Sequence, residues 1–208
     1  MPHSATEIAS EPGLPRTERL LIAALCAVVR PDHALLTDVT RTALAEGIDA
    51  AAIREACLQG IAYAGFPRAL TALEAIHELL PPSSASAAPD VPTVDGRAHF
   101  DGVYGPHADK LLAKLNEFDP LLAELTIEVA YGRILARPGL DPCTRELMGV
   151  AALSVLDLER QMTAHAFGAV RFGASAAEAY EAARTPALLF DDVASRQHVD
   201  VLRRLLAT

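Results

Sequence analysis

The sequence predicts an all-α protein, on three observations. Hydrophobic residues make up 51% of the 208-residue chain, yet aromatics are only 5% and Trp is absent, a composition that suits close-packed Ala/Leu helices better than a sheet. No stretch alternates apolar and polar residues over strand lengths. One punctuation recurs along the chain: a side-chain acceptor, an apolar helical run, then a Gly or Pro stop.

The elements follow from that punctuation. The N-terminal MPHSATEIASEPGLP is polar and lacks the basic, apolar and small-residue regions of a signal peptide. TERLLIAALCAVV reads as a helix ended by Arg30-Pro31, and Asp32 caps a second helix running to Glu46, with Gly47 as its stop. Asp49 caps IREACLQGIAYAG, and Pro67 opens PRALTALEAIHELL, which stops before Pro81-Pro82. The tract PPSSASAAPDVPTVD has nothing to bury and reads as a linker. The expected organisation is a first helical unit over 15–80, a linker over 81–97 and a second unit over 98–208.

In the second unit, helices are expected from Pro106 to Phe118 and from Pro120 to Ala136. A break at Arg137-Pro138-Gly139 leads into two antiparallel helices. Asp141-Pro142 starts the first of these, Asp157 is read as the N-cap of the second, and Phe172-Gly173 stops it. Ser175 and Glu178 form a capping box for the next helix, and the chain closes with a helix from Val193 to Leu206.

Composition excludes several functions. A formal charge of −9 argues against nucleic acid or an anionic membrane as partner. The longest apolar run, Leu20 to Val29, is too short to span a bilayer. Cys26, Cys57 and Cys143 form no CxxC or paired framework, which fits a reduced, cytoplasmic setting. The seven histidines are dispersed, so no metal site is expected.

The chain also repeats itself. Glu18-RLLIAAL aligns without a gap on Glu146-LMGVAAL, the helix ending in Gly47 corresponds to that ending in Gly173, and IDAAAIREA parallels ASAAEAYEA. Within this frame Glu146 and His165 are the two ionisable residues on apolar helices, 19 positions apart. A carboxylate beside an imidazole in an apolar pocket suits proton transfer. On position alone, Glu146 also reads as a surface charge favouring the helix dipole, and His165 as a satisfied core residue. Arg137, Arg145 and Arg160 are candidate carboxylate anchors, with solvated surface as the alternative.

RPGLDPCTRELMGVAAL, His165 eight residues before Gly173, and the YAGFPRA segment of the first unit together resemble the carboxymuconolactone decarboxylase family. The resemblance covers most of residues 15–80 and 105–183. It implies an all-α bundle assembled as a ring of helical units, hence a homo-oligomer here, a trimer with two units per chain. The peroxidase-like branch of that family carries a Glu, two cysteines and a His at fixed spacing. Here Leu158 and Gln161 stand at the cysteine positions, and Val39 stands where the first unit would need its histidine. The resemblance therefore points to a cofactor-free lyase or isomerase acting on a small unsaturated lactone or oxo acid. It assigns Glu146 and His165 as the catalytic pair and puts Tyr63 at the substrate; of the arginines, Arg160 and Arg137 are taken as the substrate-binding anchors beside them. A non-catalytic binding or scaffold member is the alternative, and a thiol peroxidase is disfavoured. Because the second unit reads RTPALLFDDVA where the first has YAGFP, Tyr63 and its neighbours are expected to help wall the pocket, from the same chain or an adjacent one.

Overall fold

The computed structural model describes residues 3–82 and 95–207, and no strand occurs among them. The first unit contains α1 (Ala5–Ser10), α2 (Arg16–Val29), α3 (His33–Ala45), α4 (Ala50–Gln59) and α5 (Ile61–Ile76). The second contains α6 (Gly96–Tyr104), α7 (Ala108–Phe118), α8 (Pro120–Leu125), a π-helical segment (Thr126–Leu135), α9 (Pro142–Val155), α10 (Glu159–Arg171), α11 (Ala176–Phe190) and α12 (Val193–Leu205).

The core is a pair of helices that are buried all round. Every residue of α2 from Arg19 to Val29 is buried, and so is every residue of α9 from Thr144 to Ser154. A helix with no solvent face must lie between layers, and α2 and α9 pack on each other with α3, α4 and α5 around one and α10, α11 and α12 around the other. These two are the repeated segments of the sequence.

Each central helix also reaches across to the opposite unit with a buried arginine. Arg19 donates to Glu181 Oε2 (2.9 Å) and Thr185 Oγ1 (2.8 Å) on α11. Arg145 donates to Glu55 Oε2 (2.8 Å) and Gln59 Oε1 (3.1 Å) on α4. Glu55 and Glu181 hold matching places in the IDAAAIREA and ASAAEAYEA repeat. A buried guanidinium needs such a charge-assisted partner, and the exchange ties the units together reciprocally.

The capping signals place most elements as expected. Asp32, Asp49, Asp141 and Ser175 each accept from a backbone N–H at a helix start, and Gly47 and Gly173 have φ of 82° and 107°. Five local features depart from the sequence reading. Ser4 and Glu7 form a capping box for α1, which buries Ala5, Ile8 and Ala9 under α2 and α3 and turns the polar N-terminal segment into structure. The helix expected to run from Asp49 to Gly65 bends at Gly60. Gly65 (φ 80°) then breaks the backbone before Pro67, as expected. Helix α6, capped by Asp95, begins inside the stretch assigned to the linker; residues 83–94 of that stretch lie outside those described. The helix expected from Pro120 to Ala136 widens to a π-helix from Thr126 onward. There α6 approaches backbone to backbone, since a Cβ on Gly96 would lie 2.7 Å from the Gly132 nitrogen.

Asp157 is the fifth. It does not cap α10: its φ is 55°, and Leu158 occupies the N-cap position without a side-chain bond. The chain must reverse within three residues between α9 and α10, and Asp tolerates the left-handed conformation such a reversal needs.

Candidate functional site

Glu146 lies in the second turn of α9, whose start is fixed by Asp141 accepting from the Thr144 N–H (3.0 Å) and hydroxyl (2.7 Å). His165 lies midway along α10, which packs extensively against α9. The two side chains meet in the core: Nδ1 of His165 is 2.8 Å from Oε2 of Glu146. Glu146 is fully buried and His165 retains 5% exposure.

Two glycines make room for this pair. A Cβ on Gly168 would lie 2.7 Å from Glu146 Oε2, and a Cβ on Gly149 would lie 3.3 Å from His165 Nδ1 and 2.6 Å from the Tyr63 hydroxyl. The 2.7 and 2.6 Å distances are shorter than real Cβ contacts, so a side chain at either position would force Glu146 or Tyr63 to shift.

Tyr63 comes from α5 of the first unit, two residues before the Gly65 break. Its ring meets that of His165 edge-on at 6.4 Å. Tyr104, at the end of α6, makes a similar approach at 6.3 Å. The Tyr131 hydroxyl, on the π-helical segment, donates to that of Tyr104 (2.9 Å). His99 stacks on Phe172 at 5.4 Å and packs against Tyr131. Burial raises the pKa of Tyr63, Tyr104 and Tyr131, and the Glu146 carboxylate adds to the shift in each. The phenols therefore stay protonated. Burial lowers the pKa of His99, with Glu146 opposing, so His99 is neutral at neutral pH.

Among the described residues, three buried polar atoms around this pair have no hydrogen-bond partner in the protein: Glu146 Oε1, the Tyr63 hydroxyl and His99 Nε2. An unsatisfied buried polar atom costs about 1–3 kcal/mol, and more for a carboxylate. Such atoms can take a ligand or a water as partner.

One face of α10 leads out from the pair. Arg160, Thr163, Ala164, Phe167 and Arg171 follow helical spacing, and with Tyr104 and His107 they line a cleft of about 280 Å³. No carboxylate lines it. Arg160 is exposed and has no ion-pair partner among the described residues, whereas Arg171 donates to the Val103 carbonyl (2.5 Å).

The structure thus brings Glu146, His165 and Tyr63 together and puts Arg160 at the adjoining cleft. Arg137 does not join them. Its guanidinium is bonded to Glu55 (2.8 Å from Nη2 to Oε1), beside the Arg145 clamp, and its carbonyl accepts from Arg145. Both arginines are thereby committed to structure. At the positions where the peroxidase-like branch carries thiols, Leu158 is 40% exposed and Gln161 is also exposed. The cysteines themselves are unsuited to thiolate chemistry: burial pushes the Cys57 thiol up to about 12 and that of Cys143 to about 11, with the carboxylates of Asp141, Glu178 and Glu18 contributing to the latter.

His99, Tyr104, Tyr131 and Arg171 were not found by sequence reasoning. One signal was available: in a chain with only four tyrosines, three gather at this site.

The sequence model of the carboxymuconolactone decarboxylase family matches residues 2–78 and 120–203, one segment in each unit. Peroxisomal protein 2 of Schizosaccharomyces pombe is 28% identical over 130 residues, which cover 59% of this chain and 61% of that relative's length.

Proposed function

The chain belongs to the carboxymuconolactone decarboxylase family, and from that premise we propose that it is a cofactor-free lyase or isomerase working by proton transfer on a small unsaturated lactone or oxo acid. The observation that carries this reading is the buried Glu146–His165 bond beside a carboxylate oxygen with no partner. With Nδ1–H donating to Glu146, Nε2 is the imidazole nitrogen left to act as base. It takes the proton from an acidic carbon of the substrate while the electron pair delocalises into the conjugated carbonyl. Returning that proton at the far end of the conjugated system completes an isomerisation. In the lyase version the ring starts as imidazolium: a carboxylate leaves as carbon dioxide, its electron pair enters the same system, the Nε2 proton passes to carbon, and solvent reprotonates the imidazole. Glu146 orients the ring and stabilises the imidazolium in both.

Arg160 supplies an anion contact at the cleft, and Tyr63, contributed by the other unit, walls and donates into the pocket. Thiol peroxidase chemistry is disfavoured by the raised thiols of Cys57 and Cys143. No helix among the described residues is long and apolar enough to cross a membrane, and three unpaired cysteines fit a reducing compartment, the cytoplasm in this reading. A homotrimer remains the proposed assembly; Phe118, Leu121, Leu122 and Leu125 form an exposed apolar run on α7 and α8 available for it, and a light-scattering mass of one chain would exclude it.

The test is a screen of small lactone acids and oxo acids, following carbon dioxide release or loss of ultraviolet absorbance. His165→Ala is expected to lower turnover about a hundredfold or more with the circular dichroism spectrum unchanged. Equal turnover by this variant would end the proposal.

A further inference from the structure

The cleft and the acid–base pair lie on different faces of α10. At 3.6 residues per turn, Thr163, Ala164, Phe167 and Arg171 fall within about 60° of Arg160 round the helix, whereas His165 falls about 140° away. Neither His165 nor Glu146 lines the cleft, and the two are 5% and 0% exposed. A small acid paired with Arg160 in the cleft therefore does not yet meet the imidazole.

The last turn of α6 stands between the two faces. Gly168 lies about 80° round from Arg160, between the cleft and the pair. Val103 of α6 packs there: a Cβ on Gly168 would lie 2.9 Å from Val103 Cγ1 and 2.7 Å from Glu146 Oε2. Tyr104 comes next in the chain. It lines the cleft, and its ring lies 6.3 Å from that of His165. Among the described residues, no other residue lining the cleft makes a ring contact with His165.

Two polar contacts hold this turn in place. Arg171 donates to the Val103 carbonyl (2.5 Å), one of those at a helix end that lack a partner within the helix. The Tyr131 hydroxyl donates to that of Tyr104 (2.9 Å). Immediately beyond, Gly105 has φ 53° and ψ −130°, in a region that glycine enters without steric cost. A Cβ there would lie 2.7 Å from Arg171 Nε, so the break and the arginine are closely fitted to each other.

We infer that Tyr104 is the gate of the site. Its ring closes the Glu146–His165 pair off from the cleft, Arg171 and Tyr131 latch it, and Gly105 is the pivot on which the last turn of α6 moves when a ligand passes. This rests on the proton-transfer reading only in that a ligand has to reach His165.

The reactivity of His165 tests the gate without any substrate. The full-length protein is treated with diethyl pyrocarbonate at neutral pH, and the carbethoxylation rate of each histidine is followed by peptide mass spectrometry. His33 and His77, both exposed, are the open references, and His198, 2% exposed on α12, is the buried one. In the wild type His165 should react about tenfold or more slowly than His33 and His77, and Tyr104→Ala should raise its rate about tenfold with His198 unchanged. Tyr104→Phe, which keeps the ring and loses the Tyr131 bond, should raise it less. Tyr63→Ala removes a ring at nearly the same distance from His165 (6.4 Å) that does not line the cleft, and it too should raise the rate less than Tyr104→Ala. Because Tyr104→Ala is at risk of misfolding, Arg171→Ala, at an exposed position, is the second variant and should raise the His165 rate about threefold by releasing the latch. Wild-type His165 reacting as fast as His33 overturns the inference, as does an unchanged His165 rate in Tyr104→Ala or in Arg171→Ala. Equal acceleration of His165 and His198 in Tyr104→Ala, or equal acceleration of His165 by Tyr63→Ala, overturns it as well. An open His165 in the wild type, with turnover lost in His165→Ala, would remove the gate and leave the proton-transfer reading intact.

Discussion

The two units share a scaffold and differ in what fills its centre. Aligning Glu18 with Glu146 places Leu21 opposite Gly149, and aligning Gly47 with Gly173 places Val39 opposite His165 and Thr42 opposite Gly168. In the first unit Leu21 and Val39 are packed into the apolar core at 2% and 1% exposure. In the second, two glycines open the same frame and an imidazole enters it. Glu18 keeps its carboxylate, with Oε2 buried and unpartnered, but has no histidine to bond. The arginine clamps, by contrast, are present in both units. Gly13 (φ 92°) and Gly139 (φ 100°) even lie alike over the clamped glutamates, where a Cβ would come within 2.6 Å of Glu181 Cγ and 3.1 Å of Glu55 Cγ. The two units thus share the part that holds the fold together and differ in the part that carries the candidate site.

The largest effects should come from breaking the shared part. Glu55→Ala strands Arg145, which is 1% exposed, beside the like charge of Arg137, and removing one partner of a buried pair costs about 3–5 kcal/mol. Glu181→Ala should cost less, because Glu11 also acts on Arg19. Urea denaturation of the two variants compares the clamps directly; a larger loss for Glu181→Ala would reverse their ranking. The Glu55 clamp also sets an acid limit. Burial pushes the Glu55 pKa up, but hydrogen bonds from Arg137 and Arg145 outweigh it and hold it below the ordinary 4.5. Its contribution is therefore fully present above that value and is lost as pH falls through the lower folded-state pKa. Wild type and Glu55→Gln should converge in stability under acid.

Smaller effects distinguish the centres. Gly168→Ala puts a methyl 2.7 Å from Glu146 Oε2 and 2.9 Å from Val103 Cγ1. Overpacking of this kind costs about 1–3 kcal/mol, although Ala is the better helix former by about 1 kcal/mol. At the matching position in the first unit, Thr42→Ala meets no such site and should stay within about 0.5 kcal/mol of wild type. Equal destabilisation by the two would mean that Gly168 is not there to admit the pair.

Much of this was legible because it is local. Asp141-Pro142, the Ser175–Glu178 box and the glycine stops are decided within a few residues, and so was the Glu146–His165 pair once both helices were placed. What was hidden depends on distant packing. Arg137 is taken out of the site by Glu55, 82 positions away. Helix α6 opens on Gly96, a poor helix former that is needed for its close approach to Gly132, so the element carrying His99 and Tyr104 left little trace beyond Asp95. The capping box at Ser4 and Glu7 was readable in the sequence, and the polar character of that segment concealed it.

The smallest expected effect tests a distinction that local sequence rules cannot make. Asp32 and Asp157 occupy the turns that lead into α3 and α10, and both read as N-caps. Asp32 is one: its φ is −141° and its Oδ1 accepts from the Leu35 N–H at 2.9 Å. Asp157 instead adopts φ 55° and sends its carboxylate 3.2 Å from Nε2 of His198 on α12. Losing the cap in Asp32→Ala should cost about 1 kcal/mol. Asp157→Gly loses a contact to His198 made by a carboxylate side chain that is 75% exposed, which is worth about 0–1 kcal/mol. The same substitution removes the steric penalty that a Cβ brings to the left-handed region and adds backbone freedom to the unfolded chain. These contributions oppose one another, so the net change should lie within about 0.5 kcal/mol of zero. His198 does not depend on Asp157 alone, since its Nδ1 is also 2.9 Å from the Ser154 hydroxyl. Urea denaturation at neutral pH with unchanged m-values measures both variants. A loss in Asp157→Gly as large as that in Asp32→Ala would show that the Asp157 side chain fixes the start of α10, and with it the position of His165.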